Sequence, residues 1–172
     1  MKRDTDRARM RIIHIEDEWN KWTSIPHHLF DRLFDHLRPR PRIDLEFEEI
    51  QRPMKLSPYS FYAFQNKERK DAYFSYSFLL DARRIDSIAL DHNDIVILDI
   101  MKPNDKGLLV PAVSQLLQGL RKRKFPIEER CRYFSAFPGE LPAGTDFKGF
   151  SKGESSELVG YIFEFIKMSI PK

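Results

Sequence analysis

Asp94-Ile95-Val96-Ile97-Leu98-Asp99 is a short apolar run, mostly β-branched, closed at each end by a carboxylate. Such a run reads as a strand buried on both faces, because a one-sided strand would alternate apolar and polar residues. Arg11-Ile12-Ile13-His14-Ile15 has the same character and ends as abruptly, in Glu16-Asp17-Glu18. Two buried strands that each end in acids predict a parallel sheet with charge gathered at its carboxyl edge. In open α/β sheets that edge is where ligands bind.

Outward from these two strands, the chain alternates strand and helix signals. Trp22, Ile25, Leu29, Phe30, Leu33, Phe34 and Leu37 recur at helical spacing, with Ser24 before Pro26 as a start and Pro39-Arg40-Pro41 as a stop. Ile43 to Phe47 alternates like a strand with one wet face. Leu108 to Lys124 is helical in pattern, starting near Pro111, and Cys131 to Ser135 reads as another core strand. Phe147 to Ser151 is a weaker strand, and Glu154 to Met168 an amphipathic helix with Leu158, Val159, Ile162, Phe163 and Ile166 inward. Strands alternating with helices predict a parallel sheet covered by helices on both faces.

Two intervals depart from a regular repeat. Residues 18–98 exceed by about 35 the length that two helices, one strand and their loops require. The excess is placed at about 48–73, an insertion between the first and third strands, rich in Tyr59, Phe61, Tyr62 and Phe64. It is expected either to dock a partner or to supply core. The interval from Ala136 to Ser151, with Pro138, Gly139, Pro142 and Gly144, is too short for a full helix beside a strand.

The composition bounds the function. A chain of 172 residues with 41% apolar content and 22 aromatics is expected to form one domain, 1–172, behind a charged N-terminal tail, 1–10. The formal net charge of +3 sets 29 basic against 26 acidic residues and does not by itself predict a nucleic-acid or membrane partner. Arg121-Lys122-Arg123-Lys124 suits a solvated helix end better than a phosphate-binding surface. No apolar run spans a bilayer and the charged first residues lack an apolar signal core, so the chain reads as cytoplasmic. Cys131 is a single cysteine and is expected as buried filler. His14, inside the first strand, is expected as a packed core histidine; His27, His28, His36 and His92 have no ligand-like spacing.

Taken together, the motifs resemble the receiver domains of two-component response regulators. Asp99, with Pro103 and Gly107 following it, is similar to the family's phosphoacceptor signature. Glu16-Asp17 resembles its acidic metal-binding pair, Ser135-Ala136 its small hydroxyl position, and Lys152 after Gly149-Phe150-Ser151 its lysine. The resemblance covers most of the chain outside the insertion. It implies a flavodoxin-like, doubly wound, parallel five-stranded sheet with helices on both faces and the fourth helix short or missing. It also implies a Mg²⁺ ion held by Glu16, Asp17, Asp99 and the Met101 carbonyl. Asp99 would be the nucleophile, Lys152 and Ser135 the partners of the phosphoryl oxygens. The phosphodonor would be a histidine kinase or phosphotransfer protein, and the output contact with an unknown downstream protein. Such a domain is no enzyme in the ordinary sense, catalysing its own aspartyl phosphorylation and dephosphorylation.

Three departures from the family pattern stand out. Gly153 occupies the place of a customary proline, Gly149 that of a customary aromatic, and no DNA-binding or catalytic domain is expected after Lys172. An unphosphorylated pseudo-receiver used as an interaction module is therefore the alternative, with nucleic-acid binding behind it. A phosphohydrolase with an aspartate nucleophile would want an acid where Met101 stands.

Overall fold

The computed structural model describes residues 10–16, 18–37, 45–51, 60–66, 72–79, 85–86, 88–99, 112–136 and 149–169. Seven strands are joined in one sheet: β1 (Met10–Ile15), β2 (Leu45–Gln51), β3 (Ser60–Asn66), β4 (Ala72–Leu79), β5 (Ile95–Leu98), β6 (Cys131–Ser135) and β7 (Gly149–Ser151). Their spatial order is β2-β3-β4-β1-β5-β6-β7. Among the described residues four α-helices accompany them: α1 (Ser24–Leu37), α2 (Ala112–Lys122), the single turn α3 (Ile127–Arg130) and α4 (Ser155–Ser169).

β4, β1, β5, β6 and β7 are parallel throughout. With β4 as the second strand of this set, the order is 2-1-3-4-5, the doubly wound arrangement of flavodoxin-like folds. The expected five-stranded parallel sheet is therefore present, and β2 and β3 extend it at one edge as an antiparallel pair. The second parallel strand is Ala72–Leu79, where no strand was expected, while Leu45–Phe47 of the alternating run belongs to outer strand β2 and Ile43 and Asp44 lie outside the described residues. The cause is visible in the side chains. Phe74, Tyr76 and Phe78 alternate with Ser75 and Ser77, a two-residue period without the continuous apolar character of β1 and β5.

Alternation divides the core into two layers. Met10 and Ile12 of β1, Ile95 and Ile97 of β5, Phe74, Tyr76 and Phe78 of β4, Phe134 of β6 and Phe150 of β7 face α1 and α4. Ile13, Ile15, Val96, Leu98, Cys131 and Tyr133 face the other way, against Leu116, Leu117 and Leu120 of α2. Helices thus cover both faces, as expected. Tyr62 of β3 is buried in the first layer beside Phe47, so at least this ring of the extra segment serves as core. One member of the expected apolar stripe of α1 does not: Phe34 is 49% exposed. Between β4 and β5, Ile85–Asp86 forms only a 3-10 turn and Ile85 packs on α2. The stretch expected to lack a full helix lies mostly in 137–148, outside the described residues.

Candidate functional site

Parallel strands fix which residues become neighbours at the carboxyl edge. Ile15 of β1 pairs with Leu98 of β5, so Glu16 and Asp99 leave the sheet side by side. Asp99 N–H donates to the Ile15 carbonyl at 3.0 Å, and Glu16 N–H to the Leu79 carbonyl at 2.8 Å, extending the ladder one residue past each strand. Ser135 ends β6 opposite Ser151 of β7, which puts Lys152 one step beyond.

The backbone then turns sharply. Lys152–Glu154 is a 3-10 turn into α4, and the Ser151 hydroxyl oxygen accepts the Gly153 N–H at 3.1 Å. A proline at 153 would have no N–H to give to that oxygen. This turn sends Lys152 back across β6. Its Nζ lies 2.9 Å from Asp99 Oδ2 and 2.7 Å from Glu16 Oε2, so one ammonium bridges both acids.

Two carboxylates against one ammonium leave negative charge in a place with little water: Glu16 is 1% exposed and its side chain is closed over by the ion pair. Burial pushes Glu16 up to about 7, and the charge of Asp99 adds to the rise. The Lys152 ammonium and the Glu18 N–H, 3.1 Å from Oε1, pull the other way without cancelling it. Lys152 responds oppositely. Burial alone would lower it, but its contacts with Glu16 and Asp99 prevail and hold it above the ordinary lysine value.

Aromatic rings line the α1 side of the site. Lys152 Nζ sits 5.5 Å from the Trp22 ring centre and 5.9 Å from that of Phe134, and these two rings meet edge to face at 4.7 Å. Beneath them His14 is fully buried, its Nδ1 2.8 Å from the Tyr76 hydroxyl and its ring against Phe78 and Phe134. Burial, with help from Lys152, lowers His14 to about 3, so it is the neutral core histidine the sequence predicts. Cys131 is likewise buried, and burial raises its thiol to about 12. His27 packs on Phe47 and Tyr62, and His36 on Phe163.

Of the sequence-predicted residues, Glu16, Asp99, Lys152 and Ser135 stand at the carboxyl edge, Ser135 buried at 2% exposure. Asp17 and Met101 lie outside the described residues. Trp22 stands beside Lys152, as its place just after the acidic pair predicts. It does not lie on the apolar stripe of α1: its carbonyl accepts the Ile25 N–H at 3.0 Å and the residue precedes the helix.

Oxygen donors suit magnesium, and the described residues offer two carboxylates already turned towards one cationic centre, the Lys152 ammonium. No group of three acids or other ligands occurs among the described residues. Glu16 and Asp99 fit a magnesium ion in donor chemistry.

The chain is thus a doubly wound α/β domain with an acid–lysine–acid cluster across the carboxyl edge of its parallel sheet. In a comparison with solved structures the chain is similar to a response regulator from Colwellia psychrerythraea, over 92% of this chain and 97% of that one, at 12% identity and a TM-score of 0.42. The fold rests on the strand order itself rather than on that likeness. No family model matches the sequence, and no curated protein matches it. Among the described residues no helix is long and apolar enough to cross a membrane.

Proposed function

We propose that the chain is a receiver domain that accepts a phosphoryl group on Asp99 from a histidine kinase or phosphotransfer protein and signals by protein contact. The observation that carries this reading is the meeting of Glu16, Asp99 and Lys152 at one sheet edge, from three separate strand ends. In the step proposed, an Asp99 carboxylate oxygen attacks phosphorus, the bond from phosphorus to the donor's imidazole nitrogen breaks, and that nitrogen takes up a proton. Lys152, already against Asp99, neutralises an oxygen of the arriving group, and Ser135 at the end of β6 is the hydroxyl to hydrogen-bond another. Magnesium, held by Glu16 and Asp99 together with Asp17 and the Met101 carbonyl, would supply charge neutralisation at the phosphoryl oxygens. The cytoplasm is the compartment proposed, since a kinase of this kind presents its phosphohistidine there.

A second reading has its own observation. Lys152 bridges both acids, a closed ion-pair arrangement that also suits a receiver fold serving unphosphorylated as an interaction module. Intact mass after incubation with magnesium and acetyl phosphate separates the two. The first reading expects a gain of one phosphoryl group, lost in Asp99→Asn. No gain, or a gain that survives in Asp99→Asn, would refute it and leave the second.

A further inference from the structure

Lysine carries its ammonium on a flexible four-carbon stem, and two carboxylates alone would accept it in several stem conformations. What narrows the choice here is apolar. Trp22 and Phe134 come from different elements, the approach to α1 and strand β6, and both present rings to Lys152 within the range of cation–π attraction. Phe134 is fully buried in the layer beneath α1 and α4, and it abuts Trp22 edge to face. The backbone of Trp22 is fixed by the bonds its N–H and carbonyl make to Trp19 and Ile25. Its indole Nε1 is buried without a hydrogen-bond partner among the described residues, so the polar edge of the ring does not anchor it. The ring is held by packing and is used through its π system.

We propose that Trp22, backed by Phe134, is a positioning residue that fixes the Lys152 ammonium between Glu16 and Asp99. The role deepens the phosphoacceptor reading and rests on it for its consequence. An ammonium already in place at Asp99 needs no reorganisation when a phosphoryl oxygen arrives, and such preorganisation is where charge stabilisation gains its effect. A ring at residue 22 would thus do work on the lysine from the β1–α1 side. The place on β7 where the resemblance leads one to look for an aromatic holds Gly149 instead.

The test uses the full chain labelled with 5-fluorotryptophan, with Trp19→Phe assigning the two fluorine resonances. Lys152→Met is expected to move the Trp22 resonance and leave that of Trp19 nearly in place, while Lys152→Arg, which keeps a cation, moves it less. An unmoved Trp22 resonance in Lys152→Met overturns the proposal. This arm needs no phosphodonor, so it decides the positioning role even if Asp99 takes no phosphoryl group. The second arm follows charging by acetyl phosphate. Trp22→Leu is expected to slow it about tenfold, Trp22→Phe to recover most of the rate, and Trp22→Leu to add nothing in a Lys152→Met background. Independent losses that multiply in the double variant would overturn the proposal, since Trp22 would then act without Lys152. Failure of the wild type to charge would count against the phosphoacceptor reading alone.

Discussion

The central strand β1 carries charge at both of its ends, and the two ends are built on different arithmetic. At the amino edge Arg11 meets Asp94, which is 1% exposed, as one cation to one anion. Asp94 Oδ1 accepts the Arg11 backbone N–H and Nε, and Oδ2 accepts Arg11 Nη2 at 2.5 Å and the Asp91 N–H at 2.7 Å. Arg11 Nη2 also donates to the Ala89 carbonyl, tying down the segment that leads into β5. At the carboxyl edge one lysine serves two acids, and burial drives one of them towards holding a proton. A satisfied pair is a fastening. The carboxyl edge instead carries more negative than positive charge, and that surplus is what the proposed function draws on.

Breaking the fastening has the largest expected effect. Arg11→Met leaves the Asp94 carboxylate buried without its cation and should cost about 3–5 kcal/mol in urea unfolding at neutral pH. A loss within about 1 kcal/mol, the value of a surface pair, would show that the amino-edge pair is ornamental.

Lys152→Met comes next. It leaves two carboxylates facing one another, and the expected cost is about 2–3 kcal/mol at pH 8, shrinking towards pH 5 as Glu16 takes up a proton. Unfolding midpoints at the two pH values check it, and an equal cost at both would contradict the surplus-charge picture.

The smallest effect has the opposite sign. Because Glu16 in the fold titrates at about 7 rather than near its ordinary value of 4.5, the unfolded chain releases this proton first. Its contribution to stability is complete below 4.5 and is lost as pH rises through 7. Glu16→Gln removes that loss, so the variant should match wild type near pH 4.5 and exceed it at pH 8 by about 1 kcal/mol or more, up to the roughly 3 kcal/mol that titration at 7 rather than 4.5 represents in full. Thermal midpoints across that range would decide it, and a variant less stable than wild type at pH 8 would contradict the assignment.

Much of this was legible in the chain. β1 and β5 are apolar because both faces are covered, and each ends in an acid, so strand and site were read from the same residues. α1, α2 and α4 declared themselves by periodicity and by their proline and serine boundaries. β4 was hidden because Ser75 and Ser77 look like solvent-facing positions, yet both are buried. The lysine's choice of partners was hidden too. Sequence order put Lys152 at the right edge, but it does not show the 3-10 turn held by Ser151 and Gly153 from which the side chain reaches Glu16 as well as Asp99. Arg123 shows the same limit: in sequence it is one of four basic residues, and in the fold it donates to the Ile85 and Ile88 carbonyls.

The register of β1 also bears on how the chain is made. Met10 lies beside Phe74 and Ile12 beside Ile95, so the middle strand of the sheet precedes both of its neighbours by most of the first half of the chain. A ribosome delivering the protein from its N-terminus therefore releases an apolar hexapeptide, MRIIHI, long before either strand that will flank it exists. Closing those distant pairings is slow compared with forming a helix. Until Leu79 is made, β1 offers two open strand edges to any chaperone, or to any other nascent copy, and until Leu98 it still offers one.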